Sequence, residues 1–187
     1  MSSMTLTKFA NMLRKLIIFA LLADIMFVSK ILMEFLPNVH LIAALIIIYT
    51  VVYRWEALIP IYIFVLLTGL YYGFSLWWVP YCYIWTILWA VVMLLPKKMP
   101  PKVARIVYIA VGVLHGLLFG VMYAPFQALA FHFDFEAAVA WVISGLPWDA
   151  LHGVGNAIAG ILILPLSQVL IKLESRFTVS ERRPAKK

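Results

Sequence analysis

Apolar residues in this chain do not alternate with polar ones. They come in long runs, each closed by a proline, a pair of charges or a cluster of aromatic rings. A helix needs ~20 residues to cross the ~30 Å of hydrocarbon in a bilayer, and runs of that order repeat along the whole length. The pattern predicts six helical segments. The first covers about Leu13 to Leu36 and stops at Pro37-Asn38. The second covers Val39 to Tyr53, short for a crossing, and ends at Arg54, and the third covers Ala57 to Phe74. An interfacial turn at Trp77, Trp78 and Pro80 leads to the fourth, Tyr81 to Leu95, which stops at PKKMPPK. The fifth covers Val103 to Pro125, with a continuation toward Phe131. A connection around His132 to Ser144, carrying a short interfacial helix, precedes the sixth, Pro147 to Ile171. The expected architecture is an all-α integral membrane protein of six transmembrane helices. A single membrane domain fills residues 1–175, and a basic tail fills 176–187. No internal repeat points to an inverted-repeat transporter.

Composition agrees with that class. The 187 residues are 65% hydrophobic and 12% charged, with a mean hydropathy of +1.01; soluble domains carry about 25% charged residues. A net charge of +7 would suggest nucleic acid in a soluble protein. Here the basic residues gather between and after the apolar runs, where they report orientation. With both termini cytoplasmic, Lys30 alone of the 15 Lys and Arg residues falls outside the cytoplasmic set, as the positive-inside bias requires. Asp134 and Glu136 fall in an external loop. Lys8, Arg14 and Lys15 before an apolar run resemble the start of a signal peptide. Asp24 and Lys30 interrupt that run, however, and no small-residue cleavage site follows, so it reads as a retained first helix. The single cysteine, Cys82, excludes an internal disulfide and a cysteine metal cluster.

The topology sorts polar residues by depth. The outer half holds Lys30, Glu34, Asn38, His40, Ser75, Trp77, Trp78, Tyr81, Tyr83, Gln127, Asp149, His152 and Asn156. The inner half is nearly free of charge. This asymmetry suits a pocket open to the outside above an apolar floor, and no polar track continues inward as a channel would need. Asp149, His152 and Asn156, spaced i, i+3 and i+7, share one face of a helix. Ionisable groups in such a helix are costly and usually face a cavity or a partner.

Each signal also has a plainer reading. Lys30 and Glu34 can neutralise each other at i, i+4, with the lysine snorkelling outward. Trp77 and Trp78 suit an aromatic belt. His115 lies among Gly112, Gly116 and Gly120, a spacing for close helix packing, where an interhelical hydrogen bond explains an imidazole. Asp149 after Pro147 can serve a helix start. Asp24 implies a partner that the sequence does not name, and His132 reads as a loop residue. There is no HExxH, no ligand-spaced acidic or histidine cluster and no Walker A pattern. Neither a metal nor a cofactor is expected. Asp149 with His152 as an acid–base pair of a small membrane enzyme remains an alternative, although no motif places a nucleophile. A purely structural membrane partner is a third.

Three blocks carry a resemblance: FLPNVHLIAALIIIYTVVY (35–53), GLYYGFSLWWVPYCYIWTILW (69–89) and WVISGLPWDALHGVGNAIAGILILPL (141–166). Together they resemble the substrate-binding S components of energy-coupling factor (ECF) vitamin transporters, over about residues 27–170. The resemblance implies a bacterial cell-membrane protein that captures a scarce micronutrient from outside. Its expected partners are a membrane coupling subunit and two cytoplasmic ATPases. It also places the substrate pocket in the outer half, at Asn38 and His40, Trp77 to Tyr83, and Asp149 to Asn156. Candidate substrate contacts are thus Lys30, Asn38, His40, Trp77, Trp78, Tyr81, Tyr83, Asp149, His152 and Asn156. The family's small-xxx-small docking motif on helix one is matched only by Ala20 and Ala23, with Asp24 where a second alanine would stand. The chain is similar to members that carry cobalamin or queuosine precursors. An aromatic pocket with few fixed charges suits a corrinoid, the preferred expectation, and suits flat heteroaromatic rings equally.

Overall fold

The computed structural model describes residues 3–181, with side chains over 9–175. The described residues are helical throughout, with short turns and no strand. Helix α1 spans Ser3–Leu32, α2 Ile42–Tyr53, α3 Leu58–Tyr72, α4 Tyr81–Leu94, α5 Pro101–Leu117, α6 Phe119–Phe131, α7 Phe135–Gly160 and α8 Ile163–Glu181. Of the expected basic tail, 182–187 lie outside the described residues, while the backbone of 176–181 continues α8.

By length and composition three helical runs, Ile42–Tyr72, Leu76–Leu94 and Pro101–Phe131, are apolar enough to cross a membrane, although the first is a hairpin whose arms have 12 and 15 residues, each shorter than the ~17 of a full crossing. The pair α7–α8, bent by 49°, makes a fourth candidate. The run Ile42–Tyr72 is not straight. Phe19 of α1 meets Tyr53 and the Leu22 carbonyl accepts from the Tyr49 hydroxyl, so α2 runs against α1. Lys15 pairs with Glu56, Phe27 meets Tyr71, and Lys30 Nζ lies 4.3 Å over the Tyr72 ring, so α3 runs with α1. The chain therefore doubles back at Arg54, whose φ of +56° lies in the left-handed region. A short 3-10 turn, Arg54–Ala57, completes the reversal.

Helix α4 returns against α3, since Trp78 Nε1 donates to Val65 O while Trp89 Nε1 donates to Arg54 O. Helices α5 and α6 run against α4, and α7 runs against both. Helix α8 ends beside α2, where the Tyr53 hydroxyl donates to Glu174. Arg14, Lys15, Arg54 and Lys97 thus share one end of the bundle, and Lys30, Asn38, Trp77 and Gln127 lie at the other. The core between them is solid. Ile46, Ile47, Tyr49, Ile61, Phe64 and Leu88 are all buried. The outside of the bundle is apolar as well, with Leu16, Ile17, Leu21, Ile25 and Val28 exposed along α1. So large an exposed apolar surface is foreign to a water-soluble monomer.

Helix boundaries depart from the sequence pattern in three places. The fifth segment is two helices that break at Leu118 (φ −98°, ψ 7°), between Gly116 and Gly120. No separate interfacial helix occupies 132–144. His132 closes α6 in a left-handed conformation, and the Asp134 side chain accepts from Ala137 N–H, capping α7 there. Pro147, expected as a helix start, therefore lies inside α7. The last segment breaks instead at Ile161–Leu162, where Pro165 has no N–H to return to the Ile161 carbonyl.

Candidate functional site

The polar face of α7 is inside the bundle. Asp149, His152 and Asn156 are 5%, 2% and 2% exposed. Their neighbours are α5 and α6, brought close by small residues. A methyl placed on Gly116 would fall 2.9 Å from Asn156 Nδ2, from Gly153 N and from the His152 carbonyl carbon. Asn156 Nδ2 donates to Gly112 O at 2.8 Å. Asp149 does not serve the start of its own helix. Its Oδ2 accepts from Gly120 N–H at 3.0 Å, in the first turn of α6. The break at Leu118 leaves α6 with unsatisfied N–H groups, and a carboxyl oxygen from α7 takes one of them. Gly153 and Gly155 are close approaches to protein, with methyls there meeting Leu117 and Val39.

Beside this face lies a layer of imidazole and aromatic rings. The His40 and His152 centroids are 4.8 Å apart, and His115 is 6.4 Å from His152. Trp85 stacks on His115 at 5.6 Å, and Phe119 meets His152 at 5.0 Å. His115 Nε2 lies 3.3 Å from the Ile84 carbonyl, which can only accept. Neutral His115 therefore donates through Nε2 and presents Nδ1 as an acceptor. Within the protein, five buried polar atoms of this layer find no partner: His40 Nδ1, His115 Nδ1, His152 Nε2, Trp85 Nε1 and Asn156 Oδ1. An unpaired buried donor or acceptor costs about 1–3 kcal/mol. The set holds acceptors and at least one donor, the Trp85 indole N–H. Among the described residues no three His, Cys, Asp or Glu side chains are placed to hold a metal ion.

Two cavities lie at the end opposite Arg54, and the smaller reaches His40 and His152 of this layer. The larger, ≈ 620 Å³, is walled by Trp77, Phe119, Tyr123, Trp141 and Trp148, with Asp149 and Gln127 among its polar groups. The smaller, ≈ 150 Å³, reaches Lys30, His40, Tyr81 and His152. Pro37, Asn38 and Phe119 line both, so the two adjoin. Asn38 sits at the shared rim with φ +57°, and its Nδ2 donates to Trp148 O at 3.3 Å, linking the α1–α2 connection to α7.

Seven of the ten expected contacts thus meet at these cavities: Lys30, Asn38, His40, Trp77, Tyr81, Asp149 and His152. The other three are turned to the protein. Trp78 donates to Val65 O at 2.7 Å and packs on Phe74, the Tyr83 hydroxyl donates to Met122 O, and Asn156 ties α7 to α5 one turn below the cavities. Lys30 does not rest on Glu34 alone, since its ammonium sits over Tyr72. Residues that sequence reasoning passed over complete the walls: Phe119, Tyr123, Trp141 and Trp148. Phe119 follows His115 by four positions, so its place on the same side was available from helical spacing; Tyr123 follows Phe119 by four more.

On α1, Ala20 is exposed but Ala23 is wholly buried. The two alanines do not form one outward face, so Ala23 is unavailable as a docking contact while α1 is packed this way. Asp24 is exposed beside Ala20, on the apolar outer face of α1.

No family model matches the chain, and no curated protein or solved structure matches it.

Proposed function

We propose that this protein captures a small, mostly neutral heteroaromatic micronutrient from the outer side of a bacterial cell membrane. In this reading it is the substrate-specific S component of an ATP-driven ECF transporter. It crosses the bilayer six times with both termini in the cytoplasm. The alternating helix directions support the six passes, and the gathering of Arg14, Lys15, Arg54 and Lys97 at one end supports the orientation. The observation that carries the reading is the ≈ 620 Å³ aromatic cavity and the smaller cavity adjoining it, whose wall holds His40 and His152, each with an unpartnered ring nitrogen. Ligand sites have this character: mainly apolar walls, a few placed polar groups and about 300–1,000 Å³ of space.

The volume bears on the substrate. A flat bicyclic ring with donors and acceptors on its edge fits within 620 Å³. A corrinoid fits only with part of its bulk outside the mouth. Capture is the reading preferred to catalysis because the larger cavity is mainly apolar and aromatic, and one oxygen of Asp149 accepts from Gly120 N–H.

A thermal-shift screen of vitamins and nucleobase-like heterocycles against the detergent-solubilised chain tests the reading. A tight ligand at 1,000 times its Kd stabilises by ~4 kcal/mol, and His152→Ala should abolish the shift. Uptake into liposomes containing the chain and its ATPase complex tests the transport role. A shift with cobalamin but not with bicyclic rings would reverse the choice of substrate. No shift with any compound, together with turnover of a substrate by the chain alone, would remove the capture reading.

A further inference from the structure

At the opposite end of the bundle a separate cavity of ≈ 230 Å³ lies between α2, α4 and α5. Its polar lining is Arg54, Lys97 and Tyr108, and its apolar walls include Val51, Val92 and Leu95. No acid lines it. The nearby carboxylates are engaged elsewhere, Glu56 with Lys15 and Glu174 with the Tyr53 hydroxyl. Two cations therefore face one small space without a counter-charge in its wall.

Arg54 is held there with unusual firmness. Its backbone takes φ +56° and ψ −116°, a conformation that a non-glycine residue keeps only when its surroundings impose it. Three hydrogen bonds do so: Arg54 N–H donates to Thr50 O, Arg54 O accepts from Trp89 Nε1 at 3.0 Å, and Nη2 donates to Met93 O at 2.9 Å. That last bond uses one of five guanidinium N–H groups. That bond ties one end of the guanidinium to α4, and Arg54 also lines the cavity, where its other donors are available.

We infer that this cavity binds a phosphate-bearing anion, supplied either by an anionic phospholipid headgroup or as a free phosphate. A guanidinium fork matches two phosphate oxygens, and a flexible lysine adds a point charge. Val51, Val92 and Leu95 accommodate the apolar stem that a headgroup carries. Basic pockets between helices at the end of a bundle are where acidic headgroups bind. The plainer account of Arg54 is a turn residue that caps α4 through Met93 O. It leaves Lys97 as one more basic residue of the cytoplasmic end and predicts no ligand.

The full chain in detergent decides between them. One arm measures retention of phosphatidylglycerol against phosphatidylcholine by native mass spectrometry. The other measures the shift in unfolding temperature with inorganic phosphate. Lys97→Gln changes an exposed loop residue and leaves the helices alone. Arg54→Gly removes the guanidinium while relieving the positive φ. Each should weaken binding about tenfold, the scale of one charge-assisted contact. A response to phosphatidylglycerol alone names the lipid as source, and a response to inorganic phosphate names the free anion; either, when lost in both variants, supports the inference. If neither probe binds, or if both variants bind as the parent does, the inference is overturned.

Discussion

Two glycines on one helix face make opposite predictions. Gly112 and Gly116 are a turn apart on α5 and look equivalent in VGVLHGLLFG. A methyl on Gly112 would meet Ile47 Cδ1 at 3.6 Å and Asn156 Cβ at 3.8 Å, which is ordinary contact. Gly112→Ala should therefore be neutral or gain up to the ~1 kcal/mol by which alanine exceeds glycine in a helix. A methyl on Gly116 would lie 2.9 Å from two backbone atoms of α7 and from Asn156 Nδ2. Neither helix backbone can give way locally, so α5 and α7 must separate. Overpacking of this kind costs about 1–3 kcal/mol. Lengthening the bond from Asn156 to Gly112 O adds roughly 0.6 kcal/mol, the mean for a hydrogen bond between membrane helices. After the alanine propensity gain of about 1 kcal/mol, the net loss is roughly 0.6–2.6 kcal/mol. The two variants should thus differ by roughly 0.6–3.6 kcal/mol, with Gly116→Ala the less stable. Reversible unfolding in mixed micelles at increasing sodium dodecyl sulfate, followed by circular dichroism, measures the difference. Equal midpoints for the two variants would refute the close approach of α5 to α7, and with it the placement of His152 and Asn156.

Asp134→Ala removes the side chain that accepts from Ala137 N–H. The same unfolding assay should show a loss of about 1 kcal/mol, as for other N-caps, while Asp134→Asn should cost far less. The adjacent tryptophans should separate in binding measurements. Trp77→Ala removes a cavity wall and should weaken any ligand found in the screen. Trp78→Phe gives up the bond to Val65 O and should lower stability by about 1 kcal/mol with affinity unchanged.

Most of what was legible in the sequence is punctuation. Proline and lysine end α4 at PKKMPP because proline cannot extend a helix and charges leave the apolar layer, so that boundary falls within a residue of its expected place. Pro147 misled for the same reason. A proline inside a long helix removes one hydrogen bond, which the remaining turns of α7 tolerate, while the true start lay at an aspartate whose capping oxygen is worth more than the proline's hint. The reversal at Arg54 carried no glycine to announce it. For the site, helical spacing brought Asp149, His152 and Asn156 onto one face, and their burial follows. Spacing is blind to which helices face one another. His115 was understood as an interhelical hydrogen bond, and its Nε2 does reach Ile84 O. That the α1–α2 connection brings the His40 ring centroid to within 4.8 Å of that of His152 is a fact of tertiary packing alone.

The solid core beneath the ring layer fixes the kinetics of whatever enters. Ile46, Ile47, Phe64 and Leu88 lie buried between the ring layer and the Arg54 end, so a ligand in the aromatic cavity would meet packed side chains rather than an open path inward. Such an arrangement suits saturable binding better than conduction. Exchange of a ligand would then depend on the rim, where Asn38 Nδ2 donates to Trp148 O.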